Sequence, residues 1–236
     1  EISYVFLNYL GSARDVMTLA HELGHGVHGL LAGAAQGPLM AHAPTAYAET
    51  ASIFGEMTTF NHLRAELRGK NDTKGLLSLL VEKVDETMNT IIRQTGFSNF
   101  EQRLHASAQR LSVAELNAIW LETLYELYGA DGDIFTYENV EHLWSYISHF
   151  HRPFYVYGYA FGELLTQSLY AAQPRLGDRF EPLYLDMLRA GGTKGVVELL
   201  QPFGLDARDP LFWQRGIEVS LGTMIEEIEK LAQINL

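Results

Sequence analysis

The chain has 236 residues, 47% of them hydrophobic, with 17 Lys and Arg against 29 Asp and Glu for a formal net charge of −12, and it contains no cysteine. That length supports a core of good size, the acidic balance without a basic run excludes a nucleic-acid surface, and the lack of cysteine excludes disulfides, thiolate catalysis and thiolate metal sites. No uninterrupted apolar run of about 18 residues and no signal-peptide pattern is present, so no membrane partner is expected and the cytoplasm is the default location.

In chain order, the apolar and aromatic residues 2–9 read as a short strand, with Tyr4 and Phe6 among them. Ser12 is a helix-start residue ahead of apolar positions Val16, Leu19, Ala20 and Leu23, and the run continues through Val27, Leu30 and Leu31 to a stop at Gly33. A loop leads to Pro44, suited to the first turn of a helix that carries Glu49 and Glu56. Gly69-Lys-Asn-Asp-Thr is a turn, and residues 75–94 form a long amphipathic helix with Leu76, Leu79, Leu80, Val84 and Met88 on its apolar face. Ser112 and Glu115 make a capping box for a helix ending at Gly129, after which residues 130–137 are a loop. Helical patterns recur over 153–172, 180–189, 193–201 and 210–233, with a break at Gly191-Gly192. The simplest organisation is one mainly α domain over 1–236, with a short edge strand before its first helix.

The first helix holds the chemistry. His21-Glu22-Leu23-Gly24-His25 is an HExxH pattern, and residues four apart on a helix share a face, so both imidazoles can reach one Zn2+ while Glu22 stands beside them as candidate general base. A catalytic zinc wants three protein ligands and an open position. Glu49 is the best third ligand, although by spacing Glu56 or Glu66 could also reach back; Glu56, if not a ligand, would support a histidine ring. His28, one turn past His25, would close the open position as a fourth ligand and is read as structural.

Two blocks carry a family resemblance: His21-Glu-Leu-Gly-His25-Gly-Val-His28 followed by Tyr47-Ala-Glu49-Thr-Ala-Ser-Ile-Phe-Gly-Glu56, and His149-Phe-His151-Arg-Pro-Phe-Tyr155-Val-Tyr157-Gly-Tyr159-Ala-Phe-Gly-Glu163. Together with Tyr4-Val-Phe-Leu-Asn-Tyr9, they resemble the M3 family of zinc oligopeptidases, and within it the oligoendopeptidase F branch, over the length of the chain. The resemblance implies a zincin-like helical metallopeptidase domain, one Zn2+ per chain held by His21, His25 and Glu49, and an oligopeptide substrate cut at internal bonds. It also implies that the His/Tyr-rich block supplies donors to the developing oxyanion, with His149 and Tyr159 first and Tyr155 next, and His151 either substituting or lining the cleft. Members are usually longer, so the chain resembles the C-terminal catalytic part of a larger protein whose N-terminal region would be a partner. Two other readings share these residues: an HExxH metallocarboxypeptidase, and a zinc-binding fragment inactive without that region.

Overall fold

The computed structural model describes residues 4–234, and the regular structure among them is entirely helical. The expected strand does not form: residues 4–10 have no regular structure, and residues 2 and 3 lie outside the described range. A strand exists through its ladder, and no described segment offers a backbone to pair with.

Helix α1 (Ala13–Gln36) starts where the sequence places it. Ser12 Oγ accepts from the Asp15 N–H at 3.1 Å, and Asp15 Oδ2 accepts from the Ser12 N–H at 2.9 Å, a reciprocal cap that satisfies two otherwise orphaned donors. Gly33 does not stop it. The helix runs one turn further to Gly37, whose φ of 73° lets its N–H return to the Gly33 carbonyl at 3.0 Å. After Pro44 come α2 (Thr45–Ala48) and α3 (Thr50–Gly69), with Glu49 at the junction between them. The amphipathic stretch predicted over 75–94 is α4 (Thr73–Met88), a π turn (Asn89–Arg93) and then α5 (Gln94–Ala106), which the sequence reading lacks.

Helix α6 (Val113–Tyr128) has the predicted Ser112–Glu115 capping box and ends at Gly129. Two 3-10 turns, Leu143–Tyr146 and Ser148–His151, precede α7 (Tyr157–Leu176), so the predicted helix start at 153 is four residues early. Then follow α8 (Phe180–Arg189), α9 (Val196–Leu200), and α10 (Pro210–Ile217), which passes through a π turn (Glu218–Gly222) into α11 (Thr223–Ile234).

The chain divides into two compact units, Glu1–Thr87 with Phe161–Leu236, and Met88–Ala160. In the first, α1 lies along α3 at very close range. A Cβ placed on Gly24 would fall 2.4 Å from the Ala51 carbonyl oxygen and 2.6 Å from the Ser52 Cα, and one on Gly55 would fall 2.8 Å from the Ala20 carbonyl oxygen. Glycine at both positions is what lets the two backbones touch. Tyr47, Leu165, Leu169, Phe180, Leu200 and Phe203 are among the core residues behind this pair, with Phe54 stacked on Tyr184 at 4.4 Å. Burying side chains of this size contributes about 1.5–3 kcal/mol each. Arg64 and Arg68 of α3 both clamp Glu227 of α11, their Nε atoms donating at 2.7 and 2.8 Å.

The second unit packs α5 on α6 around Phe97, Phe100, Trp120, Leu124, Ile147 and Val156. Its irregular segment is tied down by polar contacts: the Trp120 indole N–H donates to the Val140 carbonyl at 3.1 Å and that of Trp144 to Asn117 Oδ1 at 2.8 Å.

Candidate metal centre

The helical period of α1 puts His21 and His25 on one face, with ring centroids 5.0 Å apart and planes at 82°. The glycine-mediated contact with α3 then brings the start of that helix against them. Glu49 Oε2 lies 3.4 Å from His21 Nε2 and 3.2 Å from His25 Nε2. Donor atoms of His21, His25 and Glu49 all fall within 4.8 Å of one another, and among the described residues this is the one such group. Ser52 holds the carboxylate in place, donating from Oγ to Glu49 Oε2 at 3.1 Å and to its carbonyl at 2.8 Å. Glu66, a possible third ligand by spacing, is turned away and pairs with Lys70 at 3.3 Å.

Charge in the cluster is mutually compensated. Burial opposes protonation of His21, but the carboxylates of Glu49 and Glu56 outweigh it, and its pKa is pushed up to about 9. Burial likewise opposes ionisation of Glu49, yet the two histidines hold its carboxyl far below the usual range. Two imidazoles and a carboxylate converging from two helices, with each histidine partly open to solvent, form a donor set that suits a divalent cation with a free coordination position.

Glu22 is half-buried and lines a cavity of about 400 Å³ together with His25, His28, His42 and Tyr4. The candidate base and a candidate ligand thus face the same open space. His28 is buried, and burial together with the neighbouring His25 lowers its pKa.

Behind the histidines stands a network that the sequence reading found only in part. Glu56 Oε2 accepts from His21 Nδ1 at 3.2 Å. Its other oxygen, Oε1, is paired with the ammonium of Lys83 on α4, whose side chain is 2% exposed. Burial disfavours the charged ammonium, but Glu163 and Glu56 more than offset this and raise its pKa. Glu163 is wholly buried and its pKa is raised by burial, although Gln167 donates to its Oε1 at 2.5 Å. Lys83 had one sequence signal: it lies on the apolar stripe of α4, in register with Leu76, Leu79 and Leu80, where a lysine has no solvent to reach.

In the second unit, His149, Tyr155 and Tyr159 come together. His149 Nε2 and the Tyr159 hydroxyl are 3.0 Å apart, the His149 ring stacks on Tyr155 at 5.6 Å and 14°, and the two tyrosines meet edge-on at 5.3 Å. Tyr157 and His151 are exposed and outside this cluster. The turn that shapes it uses Phe154 in the left-handed region at φ 61°, with its N–H donating to buried Glu101 at 2.7 Å. Glu101 has no sequence signal, since its role depends on a partner 53 positions away.

The same fold occurs in a solved structure from Chlamydophila abortus, at 29% identity and a TM-score of 0.77 over 97% of this chain and 38% of that one. It also occurs in oligoendopeptidase-F from Enterococcus faecium, at 24% identity and a TM-score of 0.73 over 92% of this chain and 39% of that one. By sequence, the chain is 28% identical to oligopeptidase PepF of Bacillus subtilis, over 98% of its own length and 34% of the relative's. It is 30% identical to an oligoendopeptidase F homolog of Borreliella burgdorferi, over 98% of its own length and 39% of the relative's. The Peptidase family M3 model matches residues 1–219, and the chain belongs to that family. It spans 34–39% of the length of these two relatives.

Proposed function

We propose that this chain carries the zinc centre of an endopeptidase that hydrolyses internal bonds of oligopeptides. The observation that carries the reading is the convergence of His21 Nε2, His25 Nε2 and Glu49 Oε2, with Glu22 on the adjoining cavity, in a member of family M3. His21, His25 and Glu49 would hold the metal, one ion per chain. Bound there, Zn2+ would supply Lewis acidity, polarising a scissile carbonyl and making water acidic enough to react near neutral pH.

Every proton movement then falls to the protein. The Glu22 carboxylate takes a proton from the attacking water as the new C–O bond forms, and delivers it to the amide nitrogen as the C–N bond breaks. His149 and Tyr159, with Tyr155 beside them, are proposed as donors to the carbonyl oxygen as its charge builds; their family motif and their mutual packing support this. The substrate surface would be completed by the further length present in the relatives, which makes that N-terminal region the expected partner of this chain.

The test is mass spectrometry of an end-blocked peptide mixture incubated with the zinc-loaded chain, alone and with the N-terminal region restored. Internal cuts are expected from wild type and none from Glu22→Gln, although the variant should still bind zinc. Cleavage by Glu22→Gln would sink the general-base assignment, and an untouched end-blocked mixture beside trimming of the same peptides with free C-termini would favour a carboxypeptidase.

A further inference from the structure

The sequence of contacts behind His21 has a direction. Nε2 of that ring faces Glu49, and Nδ1 faces Glu56 Oε2. An imidazole can offer a lone pair at Nε2 only if its proton sits on Nδ1, so a fixed acceptor at Nδ1 selects the ligating nitrogen. A glutamate has three side-chain torsions and does not hold such a position unaided. Glu56 is anchored from behind by Lys83, and the three helices α1, α3 and α4 each contribute one member of the line.

We propose that Lys83 is a positioning residue for the metal centre, fixing through Glu56 the ring orientation and tautomer in which His21 presents Nε2. The inference rests on the metal-centre reading given above. The bland account is a buried ion pair that stabilises the contact of α3 with α4. It fits poorly with where the lysine stands. Desolvating an ammonium costs several kcal/mol, and an apolar residue continuing the Leu76, Leu79, Leu80 stripe would pack there without that cost. Charge at this position gains most if the carboxylate it holds has a task, and the second oxygen of that carboxylate is on a candidate ligand. Glu163 acts electrostatically on Lys83, Glu56 and His21 and is itself engaged by Gln167, but it makes no hydrogen bond in the line that runs from Lys83 through Glu56 to His21, so its removal takes away charge without taking away an anchor. It therefore serves as an internal control.

Zn2+ affinity, measured by competition with a chromophoric chelator on the folded chain, separates the possibilities without any peptide substrate. Partners of this kind are worth about 10–100-fold in metal affinity. Lys83→Met should weaken zinc binding by about 10-fold, Glu56→Gln by about 10-fold or more, and Glu163→Gln by less than about 3-fold. Because Lys83 acts through Glu56, Lys83→Met in the Glu56→Gln background should add no further loss. Wild-type affinity in Lys83→Met, or additive losses in the double variant, would overturn the inference. If Lys83→Met alone does not fold, the double variant removes both charges together and its comparison with Glu56→Gln decides the matter: equal affinity sustains the route through Glu56, and a further loss overturns it. His25→Ala guards the premise. A wild-type chain that binds zinc no better than His25→Ala would remove the metal centre and this inference together, whereas wild-type binding insensitive to Lys83→Met removes the inference alone.

Discussion

Glu227 shows at the scale of one residue how charge holds this fold together. Both of its oxygens are engaged, one by Arg64 and one by Arg68, and its side chain is 14% exposed. Burial would raise its pKa, but the two guanidinium groups prevail and lower it. A carboxyl with a depressed folded-state pKa contributes stability that is present above its unfolded value, about 4.5, and is lost as pH falls through the folded value. Glu227→Gln should therefore cost about 1–2 kcal/mol at pH 7 and progressively less below about pH 4. Urea unfolding of both proteins at the two pH values checks this, and an undiminished difference in acid would refute the ionic account. The candidate metal centre makes a contrast in how far its residues can be read from sequence. His21, Glu22 and His25 are legible in the sequence because a local period alone puts them on one turn of helix, and Glu49 is legible only as one of three carboxylates until a family pattern selects it. Glu101 and Glu163 matter through partners far along the chain, which no local rule reports, and for Lys83 the apolar stripe of α4 signals burial but not the partner that burial demands.

At the scale of elements, the caps were readable and the interruptions were not. Ser12 with Asp15 and Ser112 with Glu115 signal helix starts by side-chain chemistry alone. The π turns at Asn89–Arg93 and Glu218–Gly222 have no such signature, which is why the helix predicted over 75–94 runs through the first of them without a break and the one predicted over 210–233 divides into α10 and α11. Residues 4–10 have the composition of a strand but no described partner, and composition cannot supply one. The most informative element contact is that of α1 with α3. Gly24 sits between the two HExxH histidines, and its missing side chain is what allows Glu49 to reach them. Gly24→Ala would drive a Cβ to 2.4 Å from a backbone oxygen, which no side-chain rearrangement relieves. The helices must part, at a cost of about 1–3 kcal/mol, and the Glu49 carboxylate moves with α3. Lower Tm together with weakened zinc binding is expected. A variant that loses stability but keeps wild-type zinc affinity would show that Glu49 is positioned by something other than this contact.

At the scale of the whole molecule, the distribution of the candidate residues over the two units matters most. His21, Glu22, His25, Glu49, Glu56, Lys83 and Glu163 all belong to the unit formed by Glu1–Thr87 and Phe161–Leu236, whereas His149, Tyr155 and Tyr159 belong to Met88–Ala160. A ligand that binds the folded centre and not the unfolded chain stabilises by about 2.7 kcal/mol at 100 times its Kd. That free energy is felt only by openings that break the centre. Amide hydrogen exchange should therefore slow on adding Zn2+ in α1, in the first turns of α3 and in the middle of α4 around Lys83, by up to about 100-fold where exchange requires the helices to separate. Amides of α5 and α6 should exchange at the same rate with and without the metal. Equal slowing in both units would mean that they open as one cooperative body, and a response confined to α5 and α6 would place the cation somewhere other than on His21, His25 and Glu49. Chelation should reverse the protection, because the donors are protein side chains that remain when the ion leaves. Run on Lys83→Met, the same experiment separates affinity from coupling: with zinc raised to the same multiple of the variant's Kd, protection should return in α1 and α3 while the amides around residue 83 respond less, since the link from α4 to the centre is gone.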